Sequence, residues 1–124
     1  MRRGYGAWNR DDFEGFRVLL HPEVEWHSSG AFPGLEPVYH GHEGVRDWFV
    51  TLKEPFETFT IEPLDFIEPS DDTLVVRVAF RAVGKESGVE VRLPFAHVFW
   101  FEGGVIRRYA SFRTMEEALA QVDG

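Results

Sequence analysis

The fold is decided by residues 89–101, which read Val-Glu-Val-Arg-Leu-Pro-Phe-Ala-His-Val-Phe-Trp-Phe. Alternate side chains lie on opposite faces of a strand, so the apolar row predicts one face on a core. Arg92, Pro94 and Trp100 fall on the other face. His97 is the only ionisable side chain in the apolar row of seven, which makes it the first candidate for chemistry.

Three further strands are predicted around this one, over about 57–68, 73–83 and 105–113. Pro63 interrupts the first of them and predicts an edge strand or a bulge, because proline has no N–H for the ladder. The elements predicted before them are the end of a helix over 1–10, a helix over about 12–20 ended by Pro22, a short strand over 24–27, a loop over 28–38 and a helix over 41–53. Thr114 and Glu117 predict a capping box at the start of a last helix. Helices followed by antiparallel strands indicate an α+β architecture.

Length and composition limit the classes of function. The 124 residues suit one domain over 1–124. Lys and Arg number 13 against 21 Asp and Glu, a net charge of −8, and this balance argues against a nucleic-acid partner. The chain has no cysteine, which excludes disulfides and thiol nucleophiles. No apolar run is long enough for a membrane span, and the basic start lacks an apolar core, so we expect a cytoplasmic protein.

His97 has two interpretations. Among Phe and Leu side chains the charged form loses its hydration, so the pKa is expected to fall. A neutral imidazole on a pocket wall can donate or accept a proton. The alternative is a core histidine whose tautomer is fixed by a backbone carbonyl or a tyrosine.

Three other side chains are weaker candidates. Tyr109 and Arg113 share a predicted strand face with Ser111, and Arg113 could hold an anionic oxygen or a carboxylate. The alternative for Arg113 is a salt bridge to one of the many acids. Asp65 is the best available base, although Pro63 leaves its direction open and a solvated carboxylate is the alternative.

Histidine spacing suggests a metal site only superficially. His40 and His42 stand two residues apart, and His27 could complete a zinc site. No carboxylate–histidine pattern supports this, so we expect no metal and no cofactor. Ser28 lacks the Gly-x-Ser-x-Gly elbow of a serine nucleophile.

The second face of the last two long strands predicts an interface. It combines arginine with large aromatic side chains, two types enriched at interface hot spots. Its members are Arg92, Val98, Trp100, Arg108 and Phe112. The alternative is a partly exposed sheet face.

Several stretches together resemble the SnoaL-like family of the NTF2-like superfamily. They are Tyr5–Asp12, Leu20–Trp26, Tyr39–Arg46, Phe95–Phe99 and Phe101–Ile106. The resemblance implies a cone-shaped α+β fold, in which a curved antiparallel sheet wraps around helices and leaves a central pocket. It also implies a homodimer through the outer sheet face.

The relatives implied by this resemblance include ketosteroid isomerase, polyketide cyclases and non-catalytic binders. The base of ketosteroid isomerase falls at Ser28, its protonated aspartate at His97 and its donor tyrosine at Gly4, next to Tyr5. Ser28 cannot act as that base, so steroid isomerisation by that mechanism is not expected. A histidine at position 97 is closer to the polyketide cyclases.

The sequence therefore predicts a protein that binds a small apolar, carbonyl-bearing molecule. If it is an enzyme, the expected reaction is isomerisation, cyclisation or dehydration through His97, Asp65 and Arg113. The predicted ligand-binding residues are Trp26, Ser28, Trp48, Phe80, Phe95, Phe99 and Tyr109. The alternative is a non-catalytic binding or dimerisation module.

Overall fold

A computed structural model describes residues 1–28 and 34–122, and four helices and six strands lie in this part of the chain. They are α1 (Arg2–Asn9), α2 (Phe13–Arg17), β1 (Leu20–His27), β2 (Val38–His40), α3 (Gly41–Lys53), β3 (Phe56–Ser70), β4 (Thr73–Gly84), β5 (Glu90–Glu102), β6 (Val105–Phe112) and α4 (Met115–Val122). The strands form one sheet in the order β2-β1-β6-β5-β4-β3, which confirms the α+β class. Among the described residues, no helix combines the length and apolarity needed to cross a membrane.

The sheet is antiparallel from β3 to β6, as predicted. β3 is an edge strand, and its register shifts between Pro63 and Asp65. Both the predicted edge and the predicted bulge at Pro63 are therefore confirmed. The sequence did not reveal that β1 runs parallel to β6, where Trp26 is paired with Tyr109.

The predicted helix over 12–20 is wrong in length. α2 ends at Arg17, and Leu20 begins β1 instead, so Pro22 lies within a strand. The pairing of β1 with β6 shifts register between Leu20 and Glu25, and a proline in such an irregular segment removes no ladder bond. The predicted loop over 28–38 lies partly outside the described residues, at 29–33, and its last residue already belongs to β2.

α3 packs its predicted face against the inner side of the sheet. Val45, Trp48, Phe49 and Leu52 are all buried, as their spacing indicates. They join a single aromatic-rich core with side chains from α1 and from the inner faces of the strands. The candidate site lies within this core.

Polar contacts hold the end of α1 to the edge strand β3 and to α3. The side-chain amide of Asn9 donates to the carbonyl oxygen of Ile61 at 2.8 Å and accepts from its N–H at 2.9 Å. The amide thus pairs with β3 as a neighbouring strand would. Lys53 donates to the carbonyl of Trp8 at the end of α1, and its Nζ lies 2.6 Å from Asp11 Oδ1.

The outer face of the sheet carries a second, smaller core under α4. Val75, Ala96 and Val98 are buried there with Ala118, and Trp100 and Phe112 pack at its margin. One half of the predicted capping box is confirmed, since the Thr114 hydroxyl accepts from the Glu117 N–H at 3.1 Å. The Glu117 carboxylate accepts from the Thr114 hydroxyl at 3.1 Å, whereas a full capping box would use the backbone N–H of Thr114. Part of the predicted dimer face is therefore covered by a helix of the same chain.

Candidate active site

β5 directs His97 to the inner face of the sheet. Its neighbours in register are Val76 on β4 and Ser111 on β6. The residue is only 3% exposed. The inward orientation that the alternation predicts is therefore present.

His97 lies on the wall of a small cavity between the helices and the sheet. The wall residues are Trp8, Ser28, Leu35, Trp48, Leu52, Phe59, Ile61, Phe80, Phe95, His97, Tyr109 and Ser111. The cavity is about 20 Å³, which is room for about one water molecule. Ser28, Leu35, Phe59 and Ser111 are half-buried, whereas the other wall residues are buried. These four are the wall residues that are partly exposed at the surface.

Five of the seven predicted ligand-binding residues lie on this wall. They are Ser28, Trp48, Phe80, Phe95 and Tyr109. Trp26 and Phe99 are buried behind it: Trp26 stacks on Tyr109 with 3.9 Å between ring centroids, and Phe99 meets the ring of Tyr109 at 5.3 Å. These two side chains support the wall without forming it.

The sequence interpretation missed several wall residues. Leu52 lies one helical turn after Trp48 on the same face of α3, so the helix spacing could have identified it. Trp8 lies three residues after Tyr5, a spacing that places both on one helix face. Phe59 and Ile61 alternate on the inner side of β3, where Pro63 obscured the register.

A buried hydrogen bond joins His97 to α1. The Tyr5 hydroxyl lies 2.8 Å from Nδ1 of His97. Burial lowers the pKa of His97 to about 3, and burial together with the nearby Tyr109 raises the pKa of Tyr5 well above its usual value. Both side chains are therefore uncharged near neutral pH. Since Tyr5 occupies Nδ1, Nε2 is the ring nitrogen left for a molecule in the cavity.

Aromatic rings surround the imidazole. Tyr5 and Trp8 stack nearly parallel to it, with centroids at 5.9 and 5.8 Å, and Tyr109 meets it edge-on at 5.1 Å. This apolar setting explains the low pKa, because the imidazolium loses hydration without gaining a carboxylate. Burial also raises the pKa of Tyr109, while a hydrogen bond with Ser111 acts in the opposite direction.

The other two predicted catalytic residues do not join His97. Asp65 is exposed and accepts from Nε of Arg77 at 2.7 Å, outside the cavity. Arg113 is also exposed, and its guanidinium lies 5.9 Å from the centroid of Phe95. Neither residue is part of the cavity wall. The expectation that Asp65 serves His97 as a carboxylate partner does not agree with this geometry.

The three histidines considered for zinc do not share a side-chain partner among the described residues. Nε2 of His42 lies 3.0 Å from the carbonyl oxygen of Leu20, and Nε2 of His27 lies 3.5 Å from Glu25. His40 is exposed at the start of α3. The described ranges contain no group of three or more His, Cys, Asp and Glu side chains that could hold a metal ion.

The sequence and the fold are similar to those of known proteins. The model of the SnoaL-like domain matches residues 1–109. The chain belongs to the SnoaL-like family. α4 lies beyond the matched residues. No curated protein matches the sequence.

Solved structures of similar shape show that this chain has the NTF2-like fold. An NTF2-like protein of unknown function from Burkholderia pseudomallei is 26% identical with a TM-score of 0.82, and the match covers 99% of this chain and 94% of that one. TerC, co-crystallised with polyporic acid, is 22% identical with a TM-score of 0.81 and coverage of 99% and 95%. A Catenulispora acidiphila protein with a ketosteroid isomerase-like fold, in complex with trimethylamine, is 13% identical with a TM-score of 0.78 and coverage of 97% and 88%.

Proposed function

We propose that this SnoaL-like protein binds a small, largely apolar molecule with a carbonyl oxygen, and that Nε2–H of His97 donates a hydrogen bond to that oxygen. The observation that carries the proposal is that the buried His97 lies on an aromatic cavity wall and is hydrogen-bonded to the buried Tyr5. A tyrosine that donates to Nδ1 leaves the proton of a neutral imidazole on Nε2.

The low pKa favours a donor over a base. With a pKa of about 3, the imidazole is a weak base at neutral pH, and a general base works best with a pKa near the working pH. A neutral imidazole can still polarise a carbonyl by hydrogen bonding, and that bond is strengthened in a water-poor site. His97 therefore acts as an electrophilic donor in this proposal.

Catalysis next to the carbonyl is the second candidate. The Tyr5 hydroxyl can donate to Nδ1 or accept from it, so Nε2 can either give or receive a hydrogen bond. Nε2 would then donate a hydrogen bond to the oxygen of a ketone and accept one from the hydroxyl of its enol. Against it, no described wall residue carries a carboxylate, so removal of a proton from carbon has no evident base. Binding is therefore the first proposal, and isomerase, cyclase or dehydratase chemistry is the second.

A ligand must enlarge the cavity. About 20 Å³ holds no organic molecule, so the ligand binds a conformation in which wall side chains have turned. Leu35 and Phe59 are the half-buried apolar residues of the wall, so we expect them to turn first. The indole nitrogen of Trp8 has no hydrogen-bond partner among the described residues, so an acceptor oxygen on the ligand suits this neighbourhood.

A matched pair of probes tests the proposal. Acetophenone and α-methylstyrene have nearly the same shape, but only the ketone has an oxygen. We expect the protein to bind acetophenone at least tenfold more tightly, by titration followed in protein NMR spectra. His97→Phe should abolish this preference, whereas His97→Gln, which keeps an N–H, should retain part of it. An unchanged preference in the His97→Phe variant would refute the role of His97.

We also propose a homodimer, formed through the half of the outer sheet face that α4 leaves open. Arg77, Arg81 and Arg92 lie there and already pair with Asp65 and Glu90 of the same chain. In a twofold dimer the same patch meets itself, so interleaved charges can pair with those of a second copy. Sedimentation velocity at micromolar concentration should show a dimer that weakens at high salt, and a monomer would overturn this proposal.

A further inference from the structure

We infer that the cavity selects an uncharged ligand and discriminates against carboxylates, phosphates and ammonium groups of the same size. This inference rests on the proposed function, because it concerns the same cavity. It adds the charge class of the ligand, which the family and the fold leave open.

Every polar group on the described wall is uncharged near neutral pH. These groups are the hydroxyls of Ser28, Ser111 and Tyr109, the indole N–H groups of Trp8 and Trp48, and the imidazole of His97. Residues 29–33, whose sequence is Ser-Gly-Ala-Phe-Pro, include no ionisable side chain. An ion in this cavity would therefore lose its hydration without meeting a counter-charge, at a cost far above that of a neutral carbonyl.

The two cations next to the wall are turned away from its interior. Nζ of Lys53 lies 5.5 Å from the centroid of Phe59, and it is held by Asp11 and by the carbonyl of Trp8. The exposed Arg113 lies 5.9 Å from the centroid of Phe95. Neither side chain belongs to the wall, so neither has an N–H in place for an anion in the cavity.

These cations also act against a cationic ligand. An aromatic wall can attract ammonium groups through the faces of its rings. Here Phe59 and Phe95 already have a cation nearby, which weakens the attraction of these two rings for a second positive charge. The wall also has no carboxylate to replace the hydration that an ammonium group loses in the cavity. Both signs of charge are therefore disfavoured, each for its own reason.

Three probes of similar size separate the charge classes: acetophenone, benzoate and benzamidinium. At about pH 7 we expect acetophenone to bind at least tenfold more tightly than either ion, by the NMR titration described above. Benzoate or benzamidinium binding within threefold of acetophenone would overturn the inference. In that case, a preserved preference for acetophenone over α-methylstyrene would leave the proposed function standing. Absence of binding by all four probes would overturn both.

A charge placed on the wall provides the second test. Ser111→Asp adds a carboxylate beside His97, and Ser111→Asn is a matched uncharged control of nearly the same size. The aspartate variant should gain at least tenfold in affinity for benzamidinium relative to the asparagine variant. Equal affinities in two variants that both retain cooperative unfolding would contradict the inference.

Discussion

His97→Gln should remove a pH-dependent loss of stability. The folded chain holds His97 with a pKa of about 3, whereas an unfolded histidine titrates near 6.5. Between these two values the unfolded state binds more protons than the folded state. Linkage then requires the free energy of unfolding to fall as the pH drops from about 6.5 towards 3.

The size of the effect follows from the difference between the two pKa values. A pH of about 5 lies roughly 1.5 units below the unfolded pKa, and each unit corresponds to about 1.4 kcal/mol. The free energy of unfolding is therefore about 2 kcal/mol lower at that pH than at about pH 8. His97 is 3% exposed, so solvent screening reduces this figure little. The variant lacks the group and should lose about 2 kcal/mol less over the same range.

Urea unfolding at several pH values, followed by tryptophan fluorescence, measures this difference. His40→Gln is the matched control, because it changes an exposed histidine and leaves His97 in place. The control should keep the pH dependence of the wild type. A His97→Gln variant that keeps it too would refute the reasoning, as would NMR evidence that His97 in the folded protein is protonated at about pH 6.

Four further outcomes are expected. Asn9→Ala should cost about 2–4 kcal/mol in urea unfolding, because it leaves both backbone groups of the buried Ile61 unpaired. Thr114→Ala should cost about 1 kcal/mol and lower amide protection in α4, as hydrogen exchange would show. Lys53→Met should cost about 1 kcal/mol, since it removes the donor to the end of α1 but keeps the apolar stem. Tyr5→Phe combined with His97→Leu should unfold at a urea concentration close to that of the wild type, whereas Tyr5→Phe alone should not, because only the single change leaves a buried partner unpaired.

The antiparallel strands β3 to β6 were predictable from the sequence because their signal is local. Alternation in residues 89–101 predicts which side chains lie inward, and the structure places Phe95, His97 and Phe99 together in the inner core or its cavity wall. The short helix α2 was not predictable in the same way. Phe13, Phe16 and Leu20 fit a helical face, but Leu20 pairs with Ile106 on β6, a contact 86 positions along the chain that no local pattern contains.

The site was predictable only where strand alternation stays regular. At Asp65 the register shift after Pro63 turns the side chain to the outer face, where it pairs with Arg77. Arg113 follows the last residue of β6, so the alternation that joined it to Tyr109 no longer applies. Trp26 lies on the inner side as expected, but the ring of Tyr109 stacks over it. Whether one ring covers another in this way depends on the packing of several elements.

The energetics of the Tyr5–His97 pair argue that it is more than packing. A hydrogen bond between two neutral groups adds little net stability, while a buried group that loses its partner costs much more. Two apolar side chains would fill the same space without that risk and without the loss of stability at low pH. The pair also places a donor nitrogen on the wall of the aromatic cavity. A stability that survives replacement of both side chains, together with a lost preference for acetophenone, would therefore assign the pair to ligand binding.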